Sequence, residues 1–126
     1  VTVVTQIGSV LPLLSSSTGL VFAAHLPERE TVDLRERELA AMTQTFDAYQ
    51  PLLAGIREQG LHHVHGLLMP GVDALSAPIF NAMGHIVAVM TVVGPTSIFH
   101  ADEHGPAAQQ LLAATRDISW RMGYAA

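Results

Sequence analysis

The side chains best suited to chemistry in this 126-residue chain are its seven histidines, because imidazole binds metals and titrates near neutral pH. His62, His63 and His65 lie close together, and on a strand His63 and His65 would share one face. A His-x-His pair on a sheet can supply two ligands to zinc or iron. No third ligand follows in Gly66-Leu67-Leu68-Met69. We therefore expect exposed or hydrogen-bonded loop histidines and no metal site.

Other catalytic patterns are also missing from the sequence. There is no Gly-x-Ser-x-Gly motif, and the Ser15–Ser17 run has no lysine partner because the chain contains no lysine. Asp73 is the one acidic residue in an apolar strand, whereas acid–base catalysis needs two positioned titratable groups. We expect no catalytic residue and no cofactor. The alternative is a metal-dependent enzyme that uses His63, His65 and a further histidine, with the His100-Asp102-His104 group as another cluster.

A row of hydroxyl groups suggests ligand binding instead. Ser15, Ser16, Ser17 and Thr18 stand at the start of a predicted helix, whose free N–H groups and positive dipole end favour a carboxylate. Thr91 is a polar residue inside an otherwise apolar strand and needs a hydrogen-bond partner. Donors that converge on an apolar cavity are typical of small-molecule sites.

Two apolar strands, at 72–80 and 85–93, are predicted to position these groups. Asn81 and Gly84 suit the turn of a hairpin, and strands this apolar should be covered on both faces at the centre of a sheet. The remaining predicted elements are a strand at 1–7, a weak strand within 61–71, and helices from the Ser15–Thr18 run to 25 and at 33–42, 51–59 and 102–122. With no alternating βαβ units, this order predicts an α+β fold: an antiparallel sheet flanked by helices.

Composition narrows the range of partners. The chain is 49% hydrophobic and 13% charged, so we expect some apolar surface to be buried in a homodimer or homotetramer. Its net charge of −5 argues against binding DNA through this chain alone. We also expect no membrane-spanning segment and no secretion signal, and the absence of cysteine is compatible with the cytoplasm.

Several motifs resemble the C-terminal effector-binding domain of IclR-type transcriptional regulators, in order and over nearly the whole chain. The match to the family signature is closest at Pro70-Gly71-Val72 and Ala74–Asn81. The other matching segments are Gly8-Ser9, Leu11-Pro12-Leu13, the Ser15–Thr18 run with Gly19, Ile56-Arg57-x-x-Gly60, Gly84-x-Ile86-Val87-Ala88, Gly94-Pro95 and Ile118-Ser119 with Gly123.

The resemblance implies a GAF-like (profilin-like) fold that binds a small organic effector and alters DNA binding by a winged helix-turn-helix. On this basis, residues 1–126 form one ligand-sensing domain that lacks the family's first strands and the N-terminal winged helix. The positions that the resemblance assigns to the effector site are Ser15, Ser16, Ser17, Thr18, Val64, His65, Val72, Ala74, Thr91 and Val93.

Four departures from the family pattern bear on the effector. Val64 replaces an acidic or small polar residue, Leu67 replaces Glu, Leu14 replaces a frequent His, and Leu20 replaces a frequent Lys. Each departure removes a polar group from or near the site, which predicts an apolar or aromatic effector, with one carboxylate at the Ser run, over a small polar acid such as glyoxylate. A pure oligomerisation module, with its cavity filled by its own side chains, is a further alternative.

Overall fold

The computed structural model describes residues 6–67, 69–97 and 102–125, so most of the strand predicted at 1–7 and His100 of the candidate His100-Asp102-His104 group lie outside the described residues. The described part contains four α-helices, one 3-10 helix and three strands. In chain order they are α1 Ser17–His25, α2 Glu28–Met42, the 3-10 helix Phe46–Tyr49, α3 Gln50–Gln59, β1 His62–His65, β2 Val72–Phe80, β3 Ile86–Pro95 and α4 Pro106–Arg121.

The predicted hairpin is present, as β2 and β3. The three strands form an antiparallel sheet in the order β1-β2-β3, with His65 opposite Asp73 and Ser76 opposite Thr91. In the turn, the Asn81 side-chain oxygen accepts hydrogen bonds from the backbone N–H groups of Met83 and His85, both at 3.0 Å. Gly84 takes a φ of +78°, which a residue with a Cβ seldom adopts.

The two strands of the hairpin differ in burial. β2 is buried along almost its whole length, with α1 against one face and α4 against the other. β3 is an edge strand of the described sheet, and Val87 and Val93 remain 45% and 48% exposed. The prediction that both strands are covered on both faces is therefore right for β2 and wrong for β3 within the described residues.

Alternation along the strands divides the core into two layers. Toward α1, the core contains Leu20, Val21 and Ala24 of that helix with Ile86 of β3. Toward α4, it contains Leu75 and Ala77 of β2 with Ala108 and Leu111 of α4, and Leu61. Residues at even positions of β2 thus face α1, and those at odd positions face α4.

The helices correct two predicted boundaries. α2 begins at Glu28 rather than Asp33, because Pro27 follows the Leu26 cap of α1 and is itself the N-cap of α2. α4 begins at Pro106 rather than Asp102, since Asp102 accepts a hydrogen bond from the backbone N–H of His104 in the turn ahead of the helix. The fold remains the predicted α+β arrangement of helices on an antiparallel sheet.

Candidate functional site

A cavity of about 440 Å³ lies between the start of α1 and the sheet. Eight of the ten predicted site residues line it: Ser16, Ser17, Thr18, Val64, Val72, Ala74, Thr91 and Val93. Sequence reasoning missed the other lining residues, Ser9, Val10, Leu11, Met69 and Val89. Val89 could have been predicted from the alternation along β3, because residues 89, 91 and 93 share one face. The other four missed residues lie in loops, where no such alternation exists.

Ser15 and His65 do not line this cavity. Val64 and His65 are neighbours on β1, so their side chains point to opposite faces of the sheet. His65 is on the face away from the cavity, where its Nδ1 lies 2.8 Å from Oδ2 of Asp73. Ser15 precedes the helix cap, and Ser16 is the residue that performs the capping.

The hydroxyl of Ser16 is fully used within the fold. Its Oγ accepts a hydrogen bond from the backbone N–H of Gly19 at 3.0 Å and donates one to the Pro12 carbonyl at 2.7 Å. The Pro12-Leu13 backbone crosses α1 so closely at Gly19 that a Cβ there would overlap with the Pro12 and Leu13 carbonyl oxygens. Ser16 and Gly19 therefore position the helix start beside the cavity, and Ser16 has no hydroxyl proton to offer a ligand.

Glu38 of α2 holds the segment that leads into α1. Its two carboxylate oxygens accept hydrogen bonds from the backbone N–H groups of Leu13 and Leu14, both at 2.8 Å. This contact could not be predicted from the sequence, because residues 24 and 25 positions apart leave no local pattern. These two hydrogen bonds hold the segment ahead of α1 in place, and this segment forms part of the cavity wall.

Three hydroxyl groups form a chain from the sheet to the cavity. Oγ1 of Thr91 lies 2.7 Å from Oγ of Ser76 and 2.6 Å from Oγ1 of Thr18. Ser76 is completely buried and has Thr91 as its one hydrogen-bond partner among the described residues. Its proton is therefore best placed on the bond to Thr91, since an unpaired buried hydroxyl donor is costly. Thr91 then donates to Thr18, and the half-buried Thr18 hydroxyl keeps its own proton for an acceptor in the cavity.

The start of α1 adds backbone donors to the same place. The N–H groups of Ser17 and Thr18 lie in the first turn, where a helix has no internal acceptor, and neither has a hydrogen-bond partner among the described residues. The Ser17 hydroxyl donates to the His62 carbonyl at 3.4 Å. The remaining walls are mainly valine, alanine, leucine and methionine, and the residues found to line the cavity include no titratable side chain. The arrangement suits a molecule with an apolar body and one acceptor group.

A second, more open cavity of about 720 Å³ lies where α3 and α4 flank the end of β2 beyond β1. His25 and Arg57 are on its wall, and Arg57 donates a hydrogen bond to the Ala24 carbonyl at 3.0 Å. Burial lowers the pKa of His25 below its ordinary value, and the charge of Arg57 lowers it further. Nε2 of His25 is buried with no hydrogen-bond partner among the described residues.

The family model described as "Bacterial transcriptional regulator IclR C-terminal" matches residues 1–120. The chain belongs to this family. The match confirms the assignment that the motifs indicated. Relatives in the family are transcriptional regulators rather than enzymes, as expected from the absence of a catalytic pattern.

Known relatives agree in sequence and fold. The domain is 27% identical over 124 residues to the HTH-type transcriptional regulator KdgR of Escherichia coli K12, covering 94% of this chain and 47% of KdgR. A crystal structure of Pseudomonas aeruginosa HmgR is 70% identical, with a TM-score of 0.92 over 98% of this chain and 50% of that chain. The crystallised C-terminal domain of E. coli KdgR is 25% identical, with a TM-score of 0.67 over 90% of this chain and 72% of that chain.

These likenesses confirm the predicted α+β fold. The domain spans about half the length of the HmgR and E. coli KdgR chains that it matches. Within the described residues, no helix combines the length and the apolar character needed to cross a membrane.

Proposed function

We propose that this IclR-type domain is an effector sensor, and that the 440 Å³ cavity beside α1 binds an apolar or aromatic carboxylic acid. The observation that carries the proposal is the pairing of mainly apolar walls with the hydroxyl and N–H donors at the start of α1. The volume is within the range of about 300–1,000 Å³ usual for small-molecule sites.

The donors favour a carboxylate at the start of α1. The Thr18 hydroxyl and the first-turn N–H groups of Ser17 and Thr18 would each donate to its oxygens. A helix N-terminus stabilises a negative charge through its dipole and its free N–H groups. Because no arginine, lysine or histidine was found in the lining, these neutral donors are the groups available to recognise the anion.

The walls favour an aromatic body. Burying a ring with about 150–250 Å² of apolar surface contributes roughly 4–6 kcal/mol at about 25 cal/mol per Å². A small polar acid such as glyoxylate would gain little of this free energy, and its second polar group would face Val64, Val72 or Val93 without a partner.

Thermal-shift and calorimetric titrations test the proposal. We expect benzoate, phenylacetate or cinnamate to stabilise the domain more than glyoxylate or lactate at equal concentration. Thr18→Val should weaken binding of the aromatic acid by about 10-fold, because one hydrogen bond to a charged group contributes about 1.5 kcal/mol or more. Ala74→Leu, whose larger side chain would fill part of the cavity, should weaken the binding of every ligand. Stabilisation by the small polar acids alone would refute the proposal.

We further propose that the domain forms homodimers or homotetramers in the cytoplasm and reaches DNA only through another part of a longer regulator. Support for self-association comes from exposed apolar side chains at the end of the hairpin and of α4, where Met83 is 78% and Trp120 is 71% exposed. The net charge of −5 supports the indirect route to DNA. Light scattering after size exclusion would measure the assembly, and a monomer at all concentrations would contradict it.

A further inference from the structure

His63, His65 and Asp73 converge on the face of the sheet opposite the effector cavity. His65 pairs with Asp73 across β1 and β2, and His63 pairs with Leu75, so the three side chains share one face. Each offers one ligand atom, and the three atoms lie within 4.8 Å of one another. Val64, Val72 and Ala74 alternate with them on the same strands and line the cavity on the other side.

Two polar groups of this cluster are buried. Asp73 is 1% exposed; its Oδ1 accepts a hydrogen bond from the Thr96 hydroxyl at 2.7 Å, and its Oδ2 lies 2.8 Å from Nδ1 of His65. Nε2 of His63 is buried and has no hydrogen-bond partner among the described residues. The buried imidazole nitrogen of His63 therefore needs a partner, and a cation bound between it and the Asp73 carboxylate would supply one.

The ligand types select the metal. Two imidazoles and one carboxylate match the mixed nitrogen and oxygen sets that bind zinc and neighbouring late transition metals, whereas magnesium and calcium prefer oxygen ligands alone. In a tetrahedral zinc site with bonds of about 2.1 Å, the ligand atoms lie about 3.4 Å apart, so small side-chain rotations suffice. The bond from Thr96 to Asp73 would orient the carboxylate from outside the coordination sphere.

We propose that His63, His65 and Asp73 bind one late transition-metal ion, with zinc preferred, in a site separate from the effector cavity. The side chain of His65 is 65% exposed, which gives the ion a route from solvent and leaves coordination positions for water. The bound ion would tie the short strand β1 to the buried strand β2. Asp73 is not a near neighbour of His65 in the sequence; the register of β1 and β2 brings it opposite His65, so the spacing of the histidines alone does not reveal it. The proposal is independent of effector binding.

Calorimetry with zinc chloride tests the site, on untagged protein first dialysed against a chelator, with magnesium and calcium chloride as comparison cations. We expect one zinc ion per chain and no binding of the hard cations. His63→Gln should weaken zinc binding at least 10-fold while leaving the fold intact, because His63 makes no hydrogen bond within the described residues through Nε2. Asp73→Asn should weaken it similarly. His85→Gln, at an exposed histidine in the hairpin turn, is the matched control and should bind as the parent does.

Visible absorption of the cobalt(II)-substituted protein provides a second readout, since tetrahedral coordination gives a strong ligand-field band that His63→Gln should abolish. Zinc binding that is absent from the parent, or that survives both His63→Gln and Asp73→Asn, would overturn the proposal. Equal loss in the His85→Gln control would also overturn it, because it would show that zinc binds surface histidines without selection. If Asp73→Asn does not fold, His63→Gln decides the outcome alone.

Discussion

Thr91→Val is the most informative single substitution in the effector cavity. It keeps the shape and β-branching of the side chain but removes the hydroxyl that joins Ser76 to Thr18. Ser76 is completely buried and would lose its one hydrogen-bond partner among the described residues. Thr18 faces the cavity and can turn to water, so the cost should arise almost wholly at Ser76.

The size of that cost follows from the burial of Ser76. Leaving a buried hydroxyl without a partner costs about 1–3 kcal/mol, whereas replacing both partners by apolar groups of similar shape is nearly neutral. We therefore expect Thr91→Val to lower the free energy of unfolding by about 1–3 kcal/mol. Ser76→Ala alone should cost about 1 kcal/mol or less, because Thr91 keeps its bond to Thr18.

Urea unfolding followed by circular dichroism measures the free energy of unfolding of Thr91→Val, of Ser76→Ala and of the double variant. The double variant Ser76→Ala/Thr91→Val should be more stable than Thr91→Val alone, since the second substitution removes the stranded hydroxyl. If the losses of stability in the two single variants add up to the loss in the double variant, the reasoning is refuted. Such a result would mean that Ser76 is satisfied by another group and that the chain of hydroxyls does not set the direction of the Thr18 proton.

Three further predictions concern the supports of the site. Glu38→Ala should lower the free energy of unfolding, measured in urea, by about 2–4 kcal/mol, because it leaves the Leu13 and Leu14 N–H groups without a partner. The control Glu36→Ala, on the exposed side of α2, should change it by less than about 0.5 kcal/mol. Gly19→Ala should destabilise the domain by about 1–3 kcal/mol or more, because its Cβ would clash with the Pro12-Leu13 backbone. Gly55→Ala, with open space around it, should stabilise α3 by about 0.5–1 kcal/mol. Equal thermal unfolding midpoints for the two variants would contradict this. Because the pKa of His25 is lowered in the folded state, the unfolded chain takes up its proton first as pH falls below about 6.5, so stability should decrease there, and a His25→Gln variant should give a flatter curve of unfolding free energy against pH.

Local sequence patterns were enough to predict the hairpin, whereas the sheet positions at the cavity, apart from Thr91, were assigned by the resemblance to the family. The apolar runs of β2 and β3, the Asn81–Gly84 turn, and the Ser and Thr residues ahead of α1 each act over a few residues. Thr91 was identified correctly as a hydroxyl that needs a partner, and the structure supplies two, Thr18 and Ser76.

Long-range pairings could not be predicted in this way. Glu38 binds backbone groups 24 and 25 positions earlier, and Asp73 meets His65 through the register of two strands. Arg35 of α2 contacts an element later in the chain: its guanidinium lies over the Phe46 ring, 4.1 Å from the ring centroid. Such contacts depend on how elements pack, and a charge pattern along one helix contains no information about them.

A crystal structure of the domain soaked with an aromatic carboxylate is the most direct test of the proposed effector site. The proposal predicts one molecule in the cavity beside α1, with a carboxylate oxygen within hydrogen-bond distance of the Thr18 hydroxyl and a first-turn N–H group. The ring would lie against the Val64, Val72 and Val93 wall. A ligand bound instead beside Arg57 in the second cavity, or a carboxylate directed away from α1, would contradict the account.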